Sequence, residues 1–100
     1  MYNNVKGIFS VNESENQFEF TVEDATAFLE YYREENKIFL TYTEAPVVLQ
    51  GTGVASQLVK QSLQYAKDNN LIVVPLCTYV FNYINKHPEW YAILPDGYQM

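Results

Sequence analysis

Residues Val54, Ala55, Leu58, Val59, Ser62, Leu63 and Ala66 recur at i, i+4 and i+5, which lays a small-to-apolar stripe along one side of an amphipathic helix. A helix with one apolar side has to bury it against another layer. Lys67 falls in the last turn, where a cation suits the helix dipole, and Asn69-Asn70 supply the stop. The flanking segments are short and strand-like. Gly7 to Val11 reads as a first short strand. Gln17 to Val22 alternates, with Phe18, Phe20 and Val22 on one face. Lys37 to Thr43 is rich in aromatic and β-branched residues, and Leu71 to Val74 is a short all-apolar run of the buried-strand kind. Thr78 to Lys86 reads as a second helix, with Val80, Phe81 and Ile84 apolar, stopped by His87-Pro88. The order is antiparallel strands, helix, strand, helix. That predicts an α+β, or mixed α/β, domain with helices packed on a curved sheet.

One segment is ambiguous. From Ala25 to Glu35, Ala, Leu and Glu favour helix, and Phe28, Leu29 and Tyr32 fall on one helical face. Ala27, Leu29 and Tyr31 equally share one face of a strand. Local propensity alone predicts a helix here.

Composition limits the function. Residues 1–100 are expected to form one domain. Hydrophobic residues make up 48% and aromatics 16%, too many for a disordered tail. A single cysteine excludes an intramolecular disulfide and a Cys-rich zinc site, and a single histidine removes most His-based metal sites, so no metal is expected. No apolar run approaches the ~18–20 residues of a membrane span. Met1 to Lys6 has no signal-peptide core behind it, and a soluble cytoplasmic protein is the expectation. All of the net charge of −6 lies in residues 1–50; the second half is balanced. An acidic half repels nucleic acid and attracts a cationic acceptor, although a solvated acidic surface is the simpler reading.

Gln50-Gly51-Thr52-Gly53-Val54-Ala55-Ser56 leads into the main helix. Two glycines allow a sharp turn that exposes N–H groups. The helix start adds unpaired N–H groups and the positive end of its dipole. No Asp or Glu occupies the first turn, and the nearest side chains, Gln50, Thr52 and Ser56, are neutral. An anion site, and a pyrophosphate site in particular, requires this arrangement; a purely structural turn would use the same residues. The nucleotide loops with stricter patterns are absent. No Gly-Lys-Ser/Thr occurs, and Ser56 stands where a dinucleotide fingerprint needs Gly or Ala. Cys77 follows the buried strand and opens the second helix. It is either an inert buried thiol or a group activated by a helix start beside a disrupted ladder, since Pro75 has no donor to give.

Tyr42-Thr43-Glu44-Ala45-Pro46, Gln50 to Ala55, Val74-Pro75-Leu76-Cys77-Thr78-Tyr79-Val80 and Lys86-His87-Pro88-Glu89 together resemble the minimal N-acetyltransferase-like proteins of the GNAT superfamily over nearly the whole chain. The Pro-x-Cys-x-Tyr-Val element with its downstream Lys-His-Pro is far more specific than the glycines. The resemblance implies a curved, mostly antiparallel sheet with two splayed parallel strands and two helices, with acetyl-coenzyme A wedged between the splayed strands. It reads residues 25–35 as a strand, against local propensity. It places the pyrophosphate on the turn of Gln50, Gly51, Thr52, Gly53, Val54 and Ala55, and Ser56 just beyond is read as a further cofactor-binding residue. It lays the pantetheine arm along the backbone of Glu44 to Val48, thus Pro46, Val47 and Val48, sets Cys77 beside the thioester, and brings Lys86 toward a phosphate at the adenine end.

The implied reaction is acetyl transfer to an amine, with a strand N–H polarising the thioester carbonyl. Members of this group often carry His where this chain has Tyr42, and a phenol with an ordinary pKa near 10 is no base at neutral pH. Glu44, if it faces the cleft, and deprotonation by bulk water are the alternatives. His87 is read as a helix C-terminal residue rather than a base. Cys77 either accepts the acetyl group covalently or only lines the cleft, the latter favoured because no His or Asp is placed to activate it. Larger superfamily members place helices over the acceptor side between the first two strands. Val22 to Ala25 leaves room for a tight turn alone, which predicts an open acceptor face for a peptide, protein or small-molecule amine, or one covered by a second copy of the chain. Two rival readings are a non-catalytic coenzyme-binding module and an aromatic-rich interaction domain without a ligand.

Overall fold

The computed structural model describes residues 6–100. The polar start read at Met1 to Val5 lies outside the described residues. Strands β1 (Ile8–Asn12), β2 (Gln17–Val22), β3 (Ala25–Glu34) and β4 (Lys37–Glu44) follow one another as antiparallel hairpins. Helix α1 (Val54–Asp68) then crosses over to β5 (Ile72–Pro75), which pairs parallel to β4, and α2 (Thr78–Lys86) follows. The sheet order is β1-β2-β3-β4-β5. Asn16, Glu23 and Glu35, each at a hairpin turn, take positive φ values of 55°, 55° and 54°. Two 3₁₀ turns, Val47–Leu49 and Pro88–Ile93, were not foreseen from the sequence.

Residues 25–34 form a strand, as the family resemblance implies and against their helical propensity. β3 is paired along both edges, to β2 from Ala25 to Glu30 and to β4 from Phe28 to Glu34. That pairing buries Ala27, Leu29 and Tyr31 together, and tertiary context overrides a preference worth at most ~0.7 kcal/mol per residue. The inner sheet face (Phe18, Phe20, Ala27, Leu29, Tyr31, Ile38, Leu40, Val73) meets Val54, Leu58, Val59, Leu63 and Ala66 of α1 and Val80 and Ile84 of α2 in one core. Each large aliphatic side chain buried there contributes roughly 1.5–3 kcal/mol. The Phe18 ring anchors it, 4.7 Å from Tyr31 and edge-on to Tyr65 at 5.3 Å. Ser62, the one polar residue on the α1 stripe, is buried without penalty because its hydroxyl donates to the Leu58 carbonyl oxygen at 2.7 Å.

The opposite, outer face carries no helix among the described residues. β2 turns directly into β3 at Glu23-Asp24, so the tight reversal expected between these strands is what the fold contains. Aromatic pairs lie exposed or half-buried on this face, Tyr32 stacked on Phe39 at 4.6 Å and Phe28 tilted against Tyr42 at 6.2 Å.

Candidate functional site

Two irregularities part β4 from β5 on one side of the sheet. The first is a bulge. Glu30 pairs with Tyr42 and Tyr31 with Leu40, so Thr41 is an extra residue on β4. Alternation would otherwise set Tyr42 on the inner face with Leu40. The extra residue instead sends Thr43 inward, opposite buried Leu29, and sends Tyr42 and Glu44 to the outer face with Glu30 and Phe28. The Thr41 hydroxyl donates to the Glu30 carbonyl oxygen at 3.1 Å and fastens the bulge.

The second irregularity is the end of β5. The parallel ladder runs from Lys37↔Ile72 to Leu40↔Pro75 and stops. Pro75 has no N–H to extend it. The N–H groups of Leu76 and Cys77 both turn back to the Leu40 carbonyl oxygen, at 3.0 and 2.8 Å. Beyond that fork, Thr41 to Glu44 pairs with β3 alone. Cys77 is the N-cap of α2, buried at 9% exposure, with its Sγ 3.2 Å from the Thr43 hydroxyl.

Tyr42 is half-exposed and its hydroxyl donates to Glu44 Oε1. That hydrogen bond first, then the Glu44 charge, with smaller effects from burial, Glu30 and Cys77, holds the phenol above its ordinary 10.0. Any perturbation therefore runs in the direction that disqualifies Tyr42 as a base at neutral pH. Glu44 is a carboxylate on the outer face, hydrogen-bonded and exposed.

The loop into α1 is ordered by its own backbone. Pro46 leads into the Val47–Leu49 turn, whose Val47 and Val48 side chains are 84% and 72% exposed. Leu49 N–H and Gln50 N–H donate to the carbonyl oxygens of Pro46 and Val47, and the Gln50 amide donates to the Ala45 carbonyl oxygen at 3.0 Å. These contacts use the carbonyls of 45–47 within the loop. Gly51 and Gly53 take φ of 79° and 91°, conformations in which an L side chain is strained. A Cβ on either would meet nothing within 4 Å, so the glycines are needed for backbone shape and the space beside them is open. Gly53 is the N-cap of α1. No side chain caps the helix and no acidic residue stands in its first turn. Val54 N–H reaches Thr52 Oγ1 at 3.4 Å, a long contact. This end of α1 presents N–H groups and a positive dipole to open space, the arrangement that receives an anion.

Ser56 and Lys86, read from separate stretches of sequence, line one cleft of about 250 Å³ together with Tyr79, Asn82, Tyr83 and His87. Burial raises the pKa values of Tyr79 and Tyr83, while a hydrogen bond with Ser56 works against the shift at Tyr79. His87 caps the C-terminus of α2, stacks on Tyr83 at 4.2 Å and lies 4.0 Å from Glu89, a helix-end role as expected. Sequence reasoning missed Thr43, Glu30 and the Tyr79–Tyr83 pair. The last had a signal, since Tyr79, Tyr83 and His87 stand four apart on one helix face. The inward turn of Thr43 had none, because it depends on the bulge.

Between residues 17 and 94 the chain matches the family model described as GCN5-related N-acetyl-transferase. It belongs to that family. The NMR solution structure of a GCN5-like protein from Staphylococcus aureus superposes with a TM-score of 0.66 at 23% identity, covering 93% of this chain and 90% of that one. At that identity the match speaks for the fold, which is the mixed α+β arrangement read from the sequence. Among the described residues no helix is long and apolar enough to cross a membrane.

Proposed function

We propose that the chain transfers the acetyl group of acetyl-coenzyme A to an amine. The observation that carries this reading is the uncapped start of α1, framed by two left-handed glycines with open space beside them, in a member of an N-acetyltransferase family. Gln50 to Ser56 would hold the pyrophosphate through main-chain N–H groups and the helix dipole. The Ser56–Lys86 cleft, with two tyrosine rings and a cation, suits an adenosine phosphate. Pro46 to Val48 would flank the pantetheine arm, with Val47 and Val48 offering apolar cover. Bound acetyl-coenzyme A supplies the acetyl group as an activated thioester.

The chain's own groups then have assignable tasks. Main-chain N–H groups along the open part of β4 would polarise the carbonyl. Glu44, rather than Tyr42, would accept the proton that the acceptor ammonium sheds, directly or through water, so that the free amine is the nucleophile. Tyr42 keeps its proton and holds Glu44 in place. Cys77 and Thr43 would line the cleft beside the thioester, with the Thr43 hydroxyl rather than a histidine or carboxylate at the Cys77 sulfur. A non-catalytic coenzyme-binding role is the second reading, favoured by the Tyr42–Glu44 bond at a position where a histidine base would otherwise be expected.

Titration calorimetry with acetyl-coenzyme A on wild type and Gly53→Val tests the site. We expect binding that weakens at least tenfold in the variant; no binding to wild type overturns the proposal. Multiple-turnover release of coenzyme A with amines separates enzyme from binding module. Intact mass of wild type and Cys77→Ala after incubation, with turnover of both, decides the role of the thiol: no acetyl adduct is expected on wild type and undiminished turnover for Cys77→Ala, whereas a Cys77-dependent adduct that decays on adding an amine would show the covalent route.

A further inference from the structure

The two edges of the sheet are built differently. β5 is four residues long and ends at Pro75, and shortness and proline both keep an edge from pairing further. β1, the opposite edge, has neither charge nor proline in Ile8-Phe9-Ser10-Val11-Asn12, and its five pairs with β2 run without a bulge. Among the described residues it pairs with β2 alone, so its far side is a row of open N–H and C=O groups. The apolar layer is also unfinished there. Phe18 and Phe20 of β2 are fully buried, whereas their β1 partners Val11 and Phe9, packed against the same core, are half-buried. Phe9 and the α1 residues Gln61, Gln64, Tyr65 and Asp68 line a groove of about 240 Å³ along this margin.

We propose that β1 pairs antiparallel with β1 of a second copy, joining two five-stranded sheets into one of ten strands. The open edge selects an extended strand as its occupant. Charge selects a second copy. Of the four strands in the acidic half, β1 is the one without a charged residue, so self-pairing sets no like charges opposite each other. Antiparallel self-pairing also brings Lys6, ahead of β1 in each copy, toward Glu13 at the far end of β1 in the other, a match of opposite signs. A register centred on Ser10 sets Phe9 opposite the second copy's Val11, and Ile8 opposite its Asn12. Opposed residues share a face, so the inner apolar layer continues across the seam and both α1 helices stay on one side; a one-residue slip would set inner face against outer. With β5 blunted, the assembly closes as a two-fold pair rather than growing into a filament. The cleft at β4 and β5 lies at the other edge, so this inference stands apart from acetyl transfer.

Sedimentation equilibrium should show the mass rising from one chain toward two between about 10 μM and 1 mM, the range of a small interface. Cysteine substitutions in a Cys77→Ala background test the register. Ser10→Cys should form an intermolecular disulfide on mild oxidation, since opposed Cα atoms lie about 4.5–5.5 Å apart, within disulfide reach. Ile8→Cys and Asn12→Cys should each crosslink at least tenfold more slowly alone, and approach the Ser10→Cys rate when mixed. Hydrogen exchange should show β1 amides gaining protection as protein concentration rises. A monomer throughout that range, a dimer that Ser10→Cys does not crosslink, crosslinking indifferent to position, or β1 amides equally protected at every concentration would overturn the proposal.

Discussion

The two halves of β4 differ in what surrounds them. From Lys37 to Leu40 the strand has β3 on one edge and β5 on the other, and Ile38 and Leu40 are 0% and 1% exposed. From Thr41 to Glu44 it has β3 alone, a bulge at its start, and Tyr42 exposed at 48%. The first half is committed to the core. The second has a free edge and outward-facing ionisable groups. One strand thus serves packing at one end and presents ionisable groups at the other, and the change happens at Thr41.

Leu40→Ala should break the paired half most severely, costing about 2–5 kcal/mol by the lost burial and the cavity left behind, measured as a lower urea midpoint. Deleting Thr41 tests whether it is the one residue out of register. Leu40 and Tyr42 would then be consecutive and in register with Tyr31 and Glu30, so Tyr42 and Glu44 should stay outward and Thr43 should stay beside Cys77, with only the Thr41 hydroxyl's bond to the Glu30 carbonyl lost, at a cost of about 1 kcal/mol. Thermal unfolding and the Cys77–reagent rate measure the two consequences. Thr43→Val keeps the shape and removes the hydroxyl, so stability should fall by no more than about 1 kcal/mol while Cys77 loses its polar neighbour.

The smallest effect is on pH. Tyr31, Tyr79 and Tyr83, mainly through burial, and Tyr42, mainly through Glu44, all hold their phenols above 10.0. The folded chain keeps protons that the unfolded chain loses first. This stabilisation is therefore full below about pH 10 and is lost as pH rises through the folded values. Urea midpoints taken on either side of pH 10 should fall on the alkaline side. Tyr42→Phe should reduce that fall slightly and Tyr31→Phe should do the same from inside the core; an unchanged midpoint across the range would contradict both.

Much of this was readable in advance. The stripe from Val54 to Ala66 and the alternation at Phe18 and Phe20 are periodicities, and periodicity survives in a single sequence. The loop glycines were readable because left-handed backbone selects for glycine, and Pro75 because it lacks a donor. Residues 25–34 were not readable from propensity, since what makes them a strand is the pair of neighbours that hairpins fold onto both of its edges. The bulge was least visible of all. Thr41 is an ordinary strand residue, and nothing in its identity announces that it drops out of register with β3. The outward placement of Tyr42 and Glu44 follows entirely from that one residue.

The Glu23-Asp24 reversal has a practical consequence. Both residues are exposed, and the turn joins two strands already locked in register from Gln17↔Glu30 to Val22↔Ala25. Guest sequence spliced there would leave the ladder intact, because closing a longer loop costs little once its ends are fixed. The molecule is in that sense a chassis with a vacant socket, onto which a designer could graft a specificity module without rebuilding the machinery beneath.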